Sequence, residues 1–478
     1  MKKLTSFLLA LLLGLSFLTA CAAKQPTETS PKETSPATPT PTEEPVEEEI
    51  MKYEFGVYNI LTADGEHKVC YNSKGLFSLD DSKEERSRFT LQVKKSTYKK
   101  QPKSFYAVYI GDDTNKAMGI SSFLVEEGKT GSLLGHEEGY AVSDKYLWTV
   151  EDNDDGTCRF VPKTSLTERP ICLAVSGNDV VVARRDDNDP AQLFRIEKAP
   201  AHKSYVEFRS AKGNFIARIH KATISKSTGI TAEMMQNWTD FMQEAYEKEI
   251  ELTGFVPYDL IVFSGWEDLQ LAAGVSDNYN VITAGKGFAT SEFRNMAQRN
   301  NDPKLNMIDM SFGFLHELGH MFDSQRGWNF ESEAWTDLKL CYVIYKMTLD
   351  HQSTDKLVFG CASSDYPAAQ CFTYEEMAKA LDIHAKKGAM TTVYGFFGAA
   401  RLFLLMTYDF GWEPFIRTFH WFQDNGYTQN SFDRWTRFTT FVDKLSEFSG
   451  KDIKNDYLTP ENWQVFEDYY TGKSTTAV

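Results

Sequence analysis

The chain is 478 residues long, 42% hydrophobic and 14% aromatic, with a formal net charge of −16 at pH 7. Such a length exceeds one ordinary domain, and the apolar content allows sizeable cores, so two or three domains are expected. The acidic balance excludes the basic footprint of a nucleic-acid binder and gives no polybasic route to lipid headgroups.

The first element is an apolar run from Phe7 to Leu18, preceded by Lys2 and Lys3 and followed by Thr19-Ala20-Cys21. It is too short to span a membrane comfortably and suits the apolar region of a secretory signal. The small residues before Cys21 resemble the bacterial lipobox, in which the cysteine becomes the lipidated N-terminus. For residues 1–21 this resemblance implies export and a lipid anchor at the bacterial cell surface; the competing reading is an ordinary signal with an incidental cysteine. Residues 22–50 consist largely of Pro, Thr, Ser, Glu, Lys and Ala, cannot bury a core, and are expected to form a disordered tether. The remaining cysteines, Cys70, Cys158, Cys172, Cys341, Cys361 and Cys371, show neither zinc-ribbon spacing nor a disulfide framework; only Cys361 and Cys371 are placed to close a loop.

Residues 51–200 alternate short apolar runs with Gly, Asn and Asp turns, which predicts an all-β domain of many short strands. RFTLQV (88–93), YLWTVE (146–151) and QLFRIE (192–197) return as aromatic-containing strands, a threefold recurrence that suggests a β-trefoil. ICLAVSG (171–177) with QLFRIE resembles the ricin-type trefoil, whose lobes close on Gln-x-Trp; here Gln192 is present and Phe194 replaces the tryptophan. Two roles follow for such a domain, glycan binding or the spacing and positioning of substrate.

From residue 201 to 478 the texture changes to α+β and mostly helical. TAEMMQNWTDFMQEAYEKEIELTG (231–254) has apolar residues at helical spacing between a Thr start and a Gly stop. YDLIVFSGW (258–266) and YNVITAGKGFAT (279–290) read as strands, with NVITAGKGF (280–288) the expected edge strand above a substrate cleft. Beyond residue 305 helices are expected, including a buried core helix within 394–412 and another in 433–450.

The chemistry concentrates in SFGFLHELGHMFDSQRGWNFESEAWTDL (311–338). His316 and His320, four residues apart, share one helix face and can grip one tetrahedral Zn²⁺. Glu317, beside the first of them, is placed to act as general base toward water activated by the metal. A third ligand is needed that leaves one position open. Gly and His at the positions of Asp323 and Arg326 would mark a metzincin, and that class is excluded. Glu333 is the favoured third ligand, opening a second helical stretch as in the glutamate-zincins typified by thermolysin; Glu331 competes. Asp337, one turn after Glu333, is placed to accept the free ring N–H of a ligand histidine, His316 in the first instance. Gly319 inside the motif helix costs helix stability, which a close approach of another backbone would explain. Oxyanion stabilisation falls to Tyr394 or His384, between which the sequence does not choose.

HELGHMF, Trp328 and SEAWTDL together resemble the enhancin-like metallopeptidases, peptidase family M60. RLFLLMTYDFGWEPFIRTF (401–419) and FVDKLSEFSGKDI (441–453) resemble that family's helical region, so the likeness covers roughly 205–465. It departs where the family carries Asn-Asn after the ligand Glu, for Thr336-Asp337 stand here. The resemblance implies a gluzincin-type zinc endopeptidase acting on O-glycosylated, mucin-like proteins. The alternative is a surface adhesin or glycan-binding lipoprotein, to which Glu317 would be superfluous.

Overall fold

The computed structural model describes residues 51–473 with internal breaks, the longest covering 372–398. The N-terminal part consists of β1 (Gly56–Thr62), β2 (Val69–Tyr71), β3 (Phe77–Leu79), β4 (Phe89–Tyr98), β5 (Gln101–Ile110), β6 (Lys116–Ile120), β7 (Thr130–Gly131), β8 (Leu133–Glu137), β9 (Leu147–Asp152), β10 (Cys158–Pro162), β11 (Ile171–Ser176), β12 (Asp179–Arg184) and β13 (Phe194–Lys198). Strands β1, β4, β5, β9, β10 and β13 pair in that order, each antiparallel, and β13 returns to β1. The ring leaves no open edge among its staves, and the hairpins β2–β3, β6–β8 and β11–β12 build three lobes around it.

A six-stranded barrel with three hairpin lobes is the β-trefoil topology, and the three sequence returns are its alternate staves β4, β9 and β13. Their aromatic residues fill the barrel, with Phe160 packed edge-on between Trp148 and Phe194 at 6.4 and 6.1 Å. Trp148 Nε1 donates to Met118 O at 2.8 Å, so its one polar atom is satisfied. Gln192 is buried in lobe closure: its amide donates to Arg184 O and its carbonyl accepts from Asp186 N.

The following part contains β14 (Tyr205–Arg209), β15 (Phe215–His220), α1 (Ala232–Thr253), β16 (Ile261–Gly265), β17 (Ala273–Val275), β18 (Val281–Ala284), α2 (Lys286–Asn300), β19 (Met307–Ser311), α3 (Phe312–Asp323), α4 (Ser332–Asp350), β20 (Lys356–Gly360), β21 (Gln370–Cys371), α5 (Arg401–Phe410), α6 (Glu413–Asp424), α7 (Arg434–Ser449), α8 (Ile453–Asp456) and α9 (Pro460–Tyr470). Helix α1 has the boundaries its sequence predicts. Thr231 Oγ1 accepts from Met234 N at 3.1 Å, and Gly254 ends the helix at φ 67°, where a side chain would be strained. Its buried residues Met235, Trp238, Met242, Ala245 and Leu252 recur at helical spacing and meet the sheet of order β14-β15-β16-β18-β17.

One expectation is corrected. NVITAGKGF does not form the edge: β18 is flanked by β16 on one side and β17 on the other, so the short, half-buried β17 is the outer strand. The region beyond 305 is mostly helical as expected, with β19 preceding the motif helix and pairing in parallel with β20. The expected core helix within 394–412 is α5, buried from Arg401 to Thr407. No helix among the described residues is long and apolar enough to cross a membrane.

Buried charges join the trefoil to the β14 sheet. Arg88 donates twice to Asp112, at 2.6 and 2.9 Å, and Tyr205 on β14 donates its phenol to the same carboxylate. Arg88 also donates to Pro200 O at 2.7 Å, across the point where the chain leaves the barrel.

Candidate metal centre

The site lies where α3 and α4 cross. Gly319 permits the crossing: a Cβ there would stand 3.2 Å from both the Cα and the carbonyl oxygen of Thr336 and 3.1 Å from its Cγ2. The close backbone approach that the sequence left to be explained is therefore α4 itself. The connection between the helices is pinned from both sides. Trp335 Nε1 donates to Trp328 O at 3.0 Å, and Arg434 Nε donates to Phe330 O at 2.8 Å. Trp335 then stacks on Phe403 of α5 at 4.7 Å, which sets how α4 presents its first turn.

These constraints bring His316, His320 and Glu333 together, with one donor atom from each within 4.8 Å of the others. Both Nε2 atoms point inward, 3.1 Å apart; Glu333 Oε2 lies 3.2 Å from His316 Nε2, and Oε1 lies 3.6 Å from His320 Nε2. Both Nδ1 atoms point outward to α4. His316 Nδ1 meets Asp337 Oδ1 at 2.9 Å, as the sequence predicts, and His320 Nδ1 meets Thr336 Oγ1 at 3.0 Å.

The donor set suits a divalent cation on three counts. Two nitrogens and one oxygen are the mixed set that Zn²⁺ takes in sites with an open fourth position. The side chains are exposed by 19%, 20% and 43% for His316, His320 and Glu333, so one side remains reachable. Asp337 is buried, and its Oδ2 has no hydrogen-bond partner among the described residues. Electrostatics agree. Burial alone would lower His316, but hydrogen bonds to Asp337 and Glu333 outweigh it and lift the imidazole to about 10. Burial, followed by the neighbouring charge of His316, pushes His320 down to about 4. The two imidazoles are thus shifted in opposite directions. Glu317, half-buried on the same helix, is raised by burial and by the Glu333 charge, with His316 opposing.

A helix that turns two imidazole nitrogens toward one point, meets a carboxylate from the next helix and carries a half-buried glutamate alongside has the construction of a metallopeptidase. The chain belongs to the peptidase M60 family, enhancin and enhancin-like, whose family model matches residues 210–458, just over half of it. Among curated proteins no sequence matches this chain. Among solved structures it is similar to the designed threefold-symmetric protein ThreeFoil, at 12% identity over 30% of this chain and 99% of that one, TM-score 0.23. It is also similar to SeviL, solved bound to asialo-GM1 saccharide, at 16% identity over 31% of this chain and 100% of that one, TM-score 0.23. A third is the BEL beta-trefoil, at 11% identity over 32% of this chain and 99% of that one, TM-score 0.24.

Glu331, Tyr394, His384, Cys21 and Cys361 lie outside the described residues. Cys70, Cys158, Cys172 and Cys341 are buried. Four residues near the site were not foreseen: Thr336, Asp323, Lys339 and Glu249. Two of them left a trace in the sequence, because Glu249 falls on the buried face of α1 and Lys339 sits inside the apolar run LKLCYVIY. A charge in such a register points to a buried partner.

Proposed function

We propose that this chain is an exported, lipid-anchored zinc endopeptidase that cuts O-glycosylated, mucin-like proteins. The observation that carries the reading is the convergence of His316, His320 and Glu333 from two helices with both Nε2 atoms facing inward. Those three residues would hold the metal, and Zn²⁺ bound there supplies a Lewis acid that polarises the scissile carbonyl and acidifies water. Asp337 fixes the tautomer of His316 by accepting its Nδ1–H. Glu317 takes the proton released as water attacks the carbonyl carbon and delivers it to the leaving amine nitrogen; its burial brings its affinity for protons closer to that task. The half-buried β17, at the edge of the sheet and packed against α3, is the strand on which an extended substrate would add. Export and acylation at Cys21 rest on the composition of residues 1–21, and the trefoil is assigned a role in holding glycans of the substrate.

The test uses the chain from residue 22 with mucin as substrate. Cleavage should be lost with chelator and should fall by about 10²–10⁴ in Glu317→Gln, whose metal content stays near one per chain. Unchanged cleavage by Glu317→Gln removes the assigned base. Metal bound with no cleavage of any glycoprotein leaves the centre standing and the substrate class wrong. The same inactive variant on a glycan array tests the trefoil, and silence there makes it a spacer.

A further inference from the structure

His320 has a partner on its outer nitrogen that no carboxylate supplies directly. Its Nδ1 lies 3.0 Å from Thr336 Oγ1, and that hydroxyl donates to Asp323 Oδ2 at 2.8 Å. Asp323 Oδ1 in turn accepts from the ammonium of Lys339 at 2.5 Å. The side chains of Asp323 and Lys339 are 3% and 0% exposed. A buried ion pair of this kind is costly to desolvate, and an apolar pair of similar volume would hold α3 to α4 at least as well. Its position directly behind a candidate ligand points to a role beyond packing.

Hydrogen-bond bookkeeping supplies one. A threonine hydroxyl has a single proton, and an ionised carboxylate can only accept. With the Thr336 proton committed to Asp323, the contact to His320 must be made the other way, with Nδ1–H donating to the hydroxyl oxygen. The imidazole is then held as the Nδ1–H tautomer, and its Nε2 lone pair faces His316 and Glu333. Lys339 donates to Asp323 Oδ1, which leaves Oδ2 to accept the Thr336 proton. Were Asp323 absent, the hydroxyl could turn and donate to Nδ1, which would place the proton on Nε2 and block the ligand position.

We propose that Thr336, Asp323 and Lys339 form a buried relay that sets the tautomer of His320 and so tunes metal affinity, as positioning residues that touch neither metal nor substrate. The inference rests on the metal-site reading above and deepens it. A hydroxyl that accepts from one side and donates to the other needs Asp323 behind it to fix its direction.

Two readouts other than turnover test the relay. The first is the dissociation constant for Zn²⁺, by competition with a colorimetric chelator. The second is the protonation of His320 Nδ1 and Nε2 in metal-free protein labelled with ¹⁵N-histidine, read by two-bond correlation spectra. Thr336→Val, close in shape but without the hydroxyl, should weaken Zn²⁺ about 10–100-fold and also lower the metal-free melting temperature, because a buried Asp323 oxygen loses its donor, whereas Thr336→Ser should restore binding to within about threefold. The double variant Asp323→Leu with Lys339→Met should move the His320 proton from Nδ1 to Nε2; should it fail to fold, the Thr336 pair still decides the matter. Wild-type affinity and an unshifted tautomer in Thr336→Val overturn the relay while the metal site stands. Absence of Zn²⁺ binding by the unsubstituted chain overturns the metal-site reading and the relay with it.

Discussion

Gly319 shows how one missing carbon decides the geometry of a site. In an exposed helix interior, Gly→Ala stabilises by about 0.5–1 kcal/mol. Here the added Cβ would press on the backbone of Thr336, which cannot move without carrying Glu333 with it. Gly319→Ala is therefore expected to reverse the usual sign, lowering the melting temperature of metal-free protein and weakening Zn²⁺ at least tenfold by the loss of positioned ligands. A more stable variant with unchanged affinity would show that α4 can yield. The grouping of His316, His320, Glu333 and Asp337 was legible because their chemistry fixes their spacing on helices. Thr336 and Asp323 were not, because a threonine and an aspartate look like ordinary surface residues until two helices are known to cross there, and Lys339, though its apolar register hinted at a buried partner, did not say which.

At the scale of the element, the centre depends on how firmly α4 is held. Trp335 is fully buried, stacks on Phe403, packs edge-on against Phe330 and reaches back to the Trp328 carbonyl. Trp335→Ala should cost about 3–5 kcal/mol, read by denaturant unfolding, and should weaken Zn²⁺ although Trp335 is not a ligand. Loss of stability with full affinity would mean that the first turn of α4 is fixed from elsewhere. Helix α1 was readable to the residue because Thr231 and Gly254 are chemical end signals. The sheet edge was misread because Ala273–Val275 is too short and too weakly apolar to announce a strand, and β19 because MIDMS merges into the helix that follows it.

For the molecule as a whole, Asp112 is the point where barrel and catalytic sheet share a charge. Burial would raise its carboxyl, but the hydrogen bonds from Arg88 and Tyr205 outweigh that and hold it below the usual carboxylate range. A group with a depressed folded value stabilises above its unfolded value of about 3.9 and loses that contribution as pH falls through the folded value. Asp112→Asn should thus cost about 3–5 kcal/mol at neutral pH, where it leaves Arg88 buried without its counter-charge. The gap to the unsubstituted chain should narrow as pH falls from about 4 toward the folded value, because the unfolded chain takes up a proton at Asp112 that the native carboxyl still resists. A gap that is constant from pH 7 to pH 3 would remove Asp112 from this role. The β-rich and helical halves were visible in the spacing of apolar and turn residues, whereas this joint was not, since Arg88, Asp112 and Tyr205 are scattered along the chain.

The barrel is closed by its first and last strands, with Tyr58 opposite Lys198 and Thr62 opposite Phe194. A chain emerging from its N-terminus must therefore carry β1 without this partner until nearly the whole trefoil has been made. Closing so long a loop is entropically slow, and an unmated strand is open to other chains meanwhile. The order of synthesis thus leaves the barrel's last seam to be zipped only as β13 arrives, immediately ahead of the strands that lead into the peptidase.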